Sequence, residues 1–358
     1  MADSDARARG WWRRHGWAIA GVAVAVLVLL GVGVLLLVRA LPALGFEDDL
    51  RSYFTGEGFN VGFGGLAGET EPGSVALVFG GAPLLVMALP VLLMGAAYPF
   101  VQALVSERAD TLGRRTGRLA FSNIAGNVAG TLLVSFVVID RAGTAGTYRL
   151  LALVLLGAGL AAAATASSWR TRVVRGGAAL GVMGALLVAF PSNLELWEYL
   201  HGAQPGEVVL VEDRTCGTVL RNNGLGGYRL TINGSSQNDY PFDDFHVLIG
   251  LLPALLHDDP GAGMALGLGI GATPYGMALD PRVDAVHTVE ICGGQVPLLA
   301  SLAGGDGAIV PQGAPELQAF FADPRVTIET GDGRKYRLTA EPGIDIVTVD
   351  TLRPQSAF

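Results

Sequence analysis

Long apolar segments lie only in the first part of this chain, and they constrain its fold more than any other feature. Each approaches the roughly 20 residues that an α-helix needs to cross the hydrocarbon of a bilayer. The sequence therefore predicts an α-helical membrane module over residues 1–190 with about five transmembrane helices. The segments lie at about 17–38, 74–104, 119–139, 148–167 and 176–190.

Charged side chains divide at the same place. Residues 206–358 carry 19 acidic and 9 basic side chains, whereas the preceding residues carry 13 and 15. Charged residues make up 16% of the chain and its mean hydropathy is +0.45, which excludes disorder and a purely cytosolic enzyme. A net charge of -8 provides no basic surface for nucleic acid. We predict a membrane module, a connector over residues 191–205, and an acidic soluble part.

Arginines predict how the membrane module is oriented. The amino terminus and the loops at 105–118 and 168–175 are basic, whereas the loop at 41–73 is acidic. Basic loops remain in the cytoplasm under the positive-inside rule. Five crossings from a cytoplasmic amino terminus would leave residues 191–358 outside.

The hydrophobic period changes in the soluble part. Short strands separated by Gly and Asn turns predict a small β domain over 206–240, a β-meander formed by Val208–Val211, Thr218–Arg221 and Tyr228–Ile232. Residues 241–358 begin with a predicted helix over Asp244–Leu256 and then alternate strands with helices. This order predicts an α/β Rossmann-like domain of the methyltransferase type, with a parallel sheet. Its strands are expected at Met264–Leu268, Val286–Ile291, Val326–Glu329 and Ile344–Val349.

A glycine-rich turn follows the first of these strands. Backbone N–H groups in such a turn can approach a nucleoside without interference from Cβ atoms. The glycines are Gly267, Gly269 and Gly271. In a chain with 51 glycines this pattern is a weak indication when it stands alone.

Acidic residues end or closely follow three later strands. They are Glu290, Asp332 and Asp350. An acidic residue about 20 positions after the glycine turn accepts hydrogen bonds from ribose hydroxyls in doubly wound folds. Since parallel strands present their carboxyl ends at one edge, the sequence predicts an adenosine site at that edge.

Two cysteines, Cys216 and Cys292, are too few for a disulfide framework or a four-ligand zinc site. We expect Cys292 to be a small packed residue. No cluster of side chains predicts a metal site.

Several motifs together carry a resemblance to a known family. The order of these motifs over about 205–358 resembles the polyamine aminopropyltransferase (spermidine synthase) family. Residues 94–99 and 117–123 resemble the membrane segments fused to such domains in bacterial proteins. The motifs in the soluble part are Asn233-Gly234 with Gln237, Asp244-Phe245-His246, Pro253 with His257, the glycine turn, Val289-Glu290-Ile291, Asp323-Pro324-Arg325-Val326, Gly331-Asp332-Gly333-Arg334, and Asp345 with Asp350.

The resemblance implies the chemistry of the site. It implies decarboxylated S-adenosylmethionine or S-adenosylmethionine as a co-substrate, with no tightly bound cofactor. The adenosine would rest against the glycine turn, with Glu290 on the ribose, Asp332 and Gly333 near the adenine, and Gln237 close to the donor. Asp350 would be catalytic: it would orient the acceptor amine and help to remove its proton. The implied activity is transfer of an aminopropyl group to a small amine, as in polyamine biosynthesis.

Departures from the family pattern keep other activities open. Residues that replace expected acidic or histidine groups are Ile270, Cys292, Val247, Leu251 and Arg353. Loss of carboxylates weakens the attraction for a cationic amine. Methyl transfer from S-adenosylmethionine is therefore an alternative. Two further hypotheses are a catalytically inactive nucleoside-binding or sensor domain on a membrane scaffold, and a transporter with an accessory soluble part.

The resemblance also bears on location and completeness. We expect a multi-pass protein of the bacterial cell membrane, in contact with the lipid bilayer, and association of identical copies is compatible with the sequence. Adenosyl donors are made in the cytoplasm, so we expect the soluble domain there, although the helix count argues the other way. Only four strands can be placed where such a sheet has about seven, so we expect the later part of the sheet to be missing.

Overall fold

The computed structural model describes residues 112–164, 168–223, 227–304, 314–339 and 343–349, with scattered positions between 80 and 102. Contacts divide the described chain into a unit that ends at Ser192 and a unit that begins at Asn193. The predicted segment at 17–38, most of the segment at 74–104, and the catalytic candidate Asp350 lie outside the described residues.

The first unit is helical. Among the described residues, one helical stretch, Thr116–Ala158, is long and apolar enough to cross a membrane. The chain is helical between the predicted segments at 119–139 and 148–167, but it is kinked at Gly143, whose φ of 64° and ψ of -174° are not helical. A module with several membrane crossings stays a prediction. The helices are α1 (Leu112–Leu133), a π-helical turn (Val134–Val138), α2 (Ile139–Ala164) and α3 (Trp169–Ala189).

The second unit begins with a short helix and an antiparallel sheet. At this point, where we expected a connector, Trp197 on the helix is only 8% exposed and packs against Val208 and Val219. This packing is close because Gly217 leaves room for the indole ring, which would lie 3.0 Å from a Cβ atom there. The elements are α4 (Asn193–Leu200), β1 (Val208–Glu212), β2 (Gly217–Asn222), β3 (Tyr228–Ile232) and β4 (Ser235–Tyr240), with the strands in the order β1-β2-β3-β4.

The remainder of the unit is the predicted α/β fold. Its four strands are parallel and lie in the order β7-β6-β5-β8. A parallel sheet with intervening helices fits an α/β fold of the methyltransferase type. The elements are α5 (Asp244–Leu256), β5 (Ala262–Leu266), α6 (Ala272–Ala278), β6 (Ala285–Glu290), α7 (Gln295–Gly304), α8 (Pro315–Ala322), β7 (Val326–Thr330), α9 (Gly333–Thr339) and β8 (Ile346–Val349).

Helices α5 and α6 approach each other through two glycines. A Cβ atom at Gly250 would lie 1.9 Å from the carbonyl oxygen of Thr273, and one at Gly276 would lie 2.1 Å from that of Val247. The two backbones therefore touch directly. This contact fixes α6, whose amino-terminal end carries the glycine turn.

One large apolar core joins the small sheet to the α/β part. It contains Leu220 and Leu230 from the small sheet, Ile270 from the glycine turn, and Leu299 and Phe320 from the helices. All five side chains are at most 1% exposed. The buried side chain of Ile270 therefore anchors the glycine turn in this core.

Candidate functional site

The carboxyl ends of three parallel strands lie side by side. Leu266 at the end of β5 is in register with Val289 on β6 and with Val349 on β8. The next residues along the chain are Gly267 and Glu290, and position 350 follows β8. The structure thus brings the glycine turn and Glu290 to one edge, where open α/β sheets bind ligands.

The glycine turn has a backbone that favours glycine. Gly267, Gly269 and Gly271 have φ values of 95°, 53° and 101°. A Cβ atom at Gly269 would also lie 2.9 Å from the Oδ1 atom of Asn238, and one at Gly271 would lie 3.2 Å from Leu317. At Gly269 and Gly271, conformation and space together favour glycine, whereas the side chains of Leu268 and Ile270 in the same turn are buried.

Glu290 ties this turn to the loop that follows β6. The residue is only 4% exposed. Its Oε2 atom accepts a hydrogen bond from Leu268 N at 2.7 Å, and its Oε1 atom accepts one from Cys292 N at 2.7 Å. Carboxylate oxygens together accept up to about four hydrogen bonds, so capacity remains for two ribose hydroxyls.

A second link to the turn comes from Gln295, the first residue of α7. Its side chain is fully buried, and its Nε2 atom donates a hydrogen bond to the carbonyl oxygen of Gly269. Within the described part of the chain, its Oε1 atom is buried without a hydrogen-bond partner. Gln295 thus fixes the backbone of the turn through its buried side chain.

Asp332 lies beside Glu290, but its carboxylate is already paired. The N–H of Gly331 donates to the carbonyl of Glu290 at 2.8 Å. The Asp332 carboxylate accepts from the Nε and Nη2 atoms of Arg334 at 3.1 and 2.8 Å. These hydrogen bonds lower the pKa of Asp332 to about 2. An adenine amino group bound there would share this carboxylate with Arg334.

Gly333 allows close packing beside Asp332. A Cβ atom at Gly333 would lie 2.6 Å from the Cδ2 atom of Leu266 at the end of β5. The first turn of α9 can therefore lie directly against the sheet, next to the candidate nucleoside site.

Gln237 and Asn238 lie on β4, a strand that the sequence pattern did not predict. The strand Ser235–Tyr240 consists mostly of polar residues, so it lacks the alternation of apolar residues used to predict strands. The side chain of Asn238 lies against Gly269 in the glycine turn, while Gln237 is half-buried. Asn238 is therefore a site residue that sequence reasoning missed.

The turn between β1 and β2 contacts the loop after Glu290. Gly294 N donates to Asp213 Oδ2 at 2.9 Å, and Gly293 N donates to Thr215 Oγ1 at 3.3 Å. Partial burial alone would raise the pKa of Asp213, but hydrogen bonds from Thr215, Cys216 and Gly294 outweigh it and hold this pKa below its ordinary value. An ionised Asp213 thus holds the loop that follows Glu290.

A disulfide joins the same two segments. Cys216 follows the β1–β2 turn and Cys292 follows Glu290, and their Cα atoms are 5.6 Å apart. This separation is typical of disulfides. We expected Cys292 to be only a small packed residue. It is indeed buried, but it is bonded to Cys216, because the fold brings together two cysteines 76 positions apart.

No group of three or more His, Cys, Asp or Glu side chains within the described ranges is arranged to hold a metal ion. The candidate site consists instead of a glycine-rich turn, carboxylates and amides. These groups suit a ligand that presents hydroxyl and amino groups.

Comparison with known proteins adds related sequences. No protein-family model matches the chain. Over 172 residues it is 29% identical to putrescine N-methyltransferase 3 and to putrescine N-methyltransferase 1, both from Nicotiana tabacum. Each alignment covers 46% of this chain and 39% of the relative, so the chain spans well under half the length of these curated relatives.

Two solved structures also align with part of the chain. One is a spermidine synthase in complex with the transition state analogue AdoDATO, with a TM-score of 0.35, 18% identity, and coverage of 41% of this chain and 47% of that one. The other is spermidine synthase from Thermotoga maritima, with a TM-score of 0.34, 18% identity, and coverage of 41% and 48%.

Proposed function

We propose that this chain is a membrane-anchored transferase that moves a group from an adenosyl sulfonium donor to a small amine. The observation that carries the proposal is the glycine turn locked to the buried carboxylate of Glu290. The similarity to putrescine N-methyltransferases supports an amine as the acceptor.

The donor would bind through its adenosine. The adenosine would pack against the backbone of the glycine turn, and Glu290 keeps unused acceptor capacity at the ribose position. Asp332 would accept from the adenine amino group by sharing its carboxylate with Arg334. Gln237 would lie near the sulfonium end of the donor.

Transfer would proceed by in-line attack of the amine. The amine nitrogen forms a bond to the carbon next to sulfur, the C–S bond breaks, and its electron pair stays on sulfur as a thioether. Asp350 would orient the amine and receive the proton that the new C–N bond releases. The positive charge on sulfur makes the leaving group good without a metal.

The group transferred is methyl or aminopropyl, and two observations favour methyl. An aminopropyl group carries an ammonium that needs a carboxylate partner. Ile270 and Cys292 occupy two positions where the resemblance leads us to expect an aspartate, and both are buried, at 0% and 4% exposure. The relatives aligned over 172 residues bear the name of methyltransferases. S-adenosylmethionine is therefore the preferred donor, and the decarboxylated form is the second candidate.

The test is turnover by purified full-length protein. We expect N-methylputrescine and S-adenosylhomocysteine when S-adenosylmethionine and putrescine are supplied, as identified by mass spectrometry. Decarboxylated S-adenosylmethionine would give spermidine and methylthioadenosine if the aminopropyl alternative holds. Asp350→Asn should remove either activity and leave donor binding intact.

A non-catalytic nucleoside-binding protein gives a different result. Titration calorimetry would then show binding of methylthioadenosine or S-adenosylhomocysteine without turnover of either donor. Absence of binding by both thioethers would overturn the proposed site itself.

A further inference from the structure

We propose that Cys216 and Cys292 form a reversible thiol–disulfide couple that sets the affinity of the nucleoside site. This inference rests on the proposed adenosine site and adds a means of control to it. It begins from the composition: the chain has only two cysteines, and the fold brings both together beside Glu290.

The disulfide acts on the segment that carries the ribose-binding carboxylate. The backbone N–H of Cys292 donates to Glu290 Oε1 at 2.7 Å, so Cys292 is hydrogen-bonded to the candidate ribose acceptor. Cys216 is the first residue after the turn that contains Asp213 and Thr215. The bond therefore fixes the loop after β6 to the small sheet at its point of contact with Glu290.

Reduction would remove the covalent link between the two segments and leave the apolar packing and two hydrogen-bonded links. Those links are Asp213 with Gly294, and Thr215 with Gly293. Two thiols that are not bonded need a larger separation than two bonded sulfur atoms, and both cysteines are at most 6% exposed in a packed core. The two sulfur atoms must separate when the bond breaks, and we infer that the loop shifts with them and alters the contact between Cys292 N and Glu290.

The chemistry needs only a disulfide of low molecular weight such as oxidised glutathione. One cysteine thiolate attacks that disulfide and releases one reduced glutathione, forming a mixed disulfide. The second cysteine thiolate then displaces the second glutathione. The two cysteines lose two electrons and two protons in total, and glutathione disulfide gains them.

A role in control fits the expected location. Disulfides in a reducing cytoplasm are usually transient and redox-sensing. The adjoining turn is exposed to solvent at Arg214 and Thr215, and Ile291, the residue before Cys292, is also exposed. Small thiols can therefore reach the bond after a local opening of these exposed residues.

The experiment compares methylthioadenosine affinity in two redox states of the purified full-length protein. One sample is oxidised with glutathione disulfide, and the other is reduced with dithiothreitol and measured anaerobically. We expect the oxidised protein to bind at least about fivefold more tightly. Across a series of glutathione ratios, the change in affinity should follow the fraction of alkylatable thiol, and reoxidation should restore tight binding. Since the chain has no other cysteine, the response reports on this pair alone.

Variants provide matched controls. Cys216→Ser and Cys292→Ser should each bind like the reduced protein and lose the response to redox potential. Asp213→Asn weakens a neighbouring link without touching sulfur, so it should lower affinity in both states and keep the redox difference.

Two outcomes would overturn the inference. Equal affinity in the oxidised and reduced proteins, with alkylation confirming the change of state, would leave the nucleoside site in place and remove its control. Absence of methylthioadenosine binding in both states would instead refute the proposed site, and this inference with it.

Discussion

At the scale of single residues, the site depends on a carboxylate with two simultaneous tasks. Glu290 closes the contact between the glycine turn and the loop after β6, and it is the candidate acceptor for ribose hydroxyls. Both tasks require that each carboxylate oxygen of Glu290 accept hydrogen bonds. The residue is thus structural and functional at once, and its substitution should affect stability and binding together.

We predict that Glu290→Gln destabilises the soluble unit and weakens methylthioadenosine binding. In the variant, the amide nitrogen would face a backbone N–H that the carboxylate accepts from in the native protein. Loss of this buried hydrogen bond costs about 1–3 kcal/mol. Urea unfolding followed by near-ultraviolet circular dichroism measures the loss. Glu329→Gln, at an exposed position on β7, is the matched control and should change stability by less than about 0.5 kcal/mol. Equal unfolding midpoints for the two variants would contradict the assigned role of Glu290.

Asp332 gives a prediction about protonation. Hydrogen bonds from Arg334 hold its pKa at about 2, below the ordinary value of 3.8. A carboxyl group with a lowered pKa stabilises the folded state at pH values above its ordinary pKa. This stabilisation is lost as the pH falls from about 4 to about 2.

The Arg334→Ala variant should raise the pKa of Asp332 towards its ordinary value, because the largest cause of the shift is removed. Carbon-13 NMR of labelled aspartate carboxyl groups measures this change, with Asp332→Asn used to assign the signal. An unchanged titration in Arg334→Ala would show that the pair does not persist in solution.

At the scale of elements, the contact between α5 and α6 determines where the glycine turn lies. We predict that Gly276→Ala destabilises the fold, because the added Cβ atom would lie 2.1 Å from the carbonyl oxygen of Val247. The carbonyl of Val247 belongs to the backbone and cannot rotate away from the added methyl group as a side chain could. Helices α5 and α6 must therefore separate, at a cost of about 1–3 kcal/mol. Thermal unfolding measures this cost. At Gly331, where a Cβ atom meets no atom within 4 Å, the same substitution should have little effect.

The α/β elements were predictable because their signals are local. Helix Asp244–Leu256 and strand Tyr228–Ile232 have the predicted bounds, and the four parallel strands begin and end within two residues of expectation. Strand β4 was missed because its polar residues lack an apolar period. The links of Cys216 to Cys292 and of Asp213 to Gly294 were not predictable, since they join segments about 80 residues apart that only the folded core brings together.

At the scale of the whole molecule, the side of the membrane on which the soluble unit lies determines whether the proposed donor can reach it. The proposed donor requires the cytoplasm, and this requires an even number of crossings before Asn193. The five predicted segments would give an odd number from a cytoplasmic amino terminus, so we propose that one of them does not cross. The segment at 176–190 is the shortest, and it lies within α3, whose first turns carry Arg170, Arg172 and Arg175.

We predict that a fluorescent protein fused after Phe358 fluoresces in bacterial cells, because such proteins mature in the cytoplasm. Alkaline phosphatase fused at the same place should be inactive, because it needs an oxidising compartment. Fusions at Ser168, next to the basic residues of α3, are the control and should give the same pair of results. Active phosphatase after Phe358 with inactive phosphatase after Ser168 would mean that α3 crosses the membrane. The Cys216–Cys292 bond would then face an oxidising compartment and stay formed, and neither redox control nor a cytoplasmic donor would fit the protein.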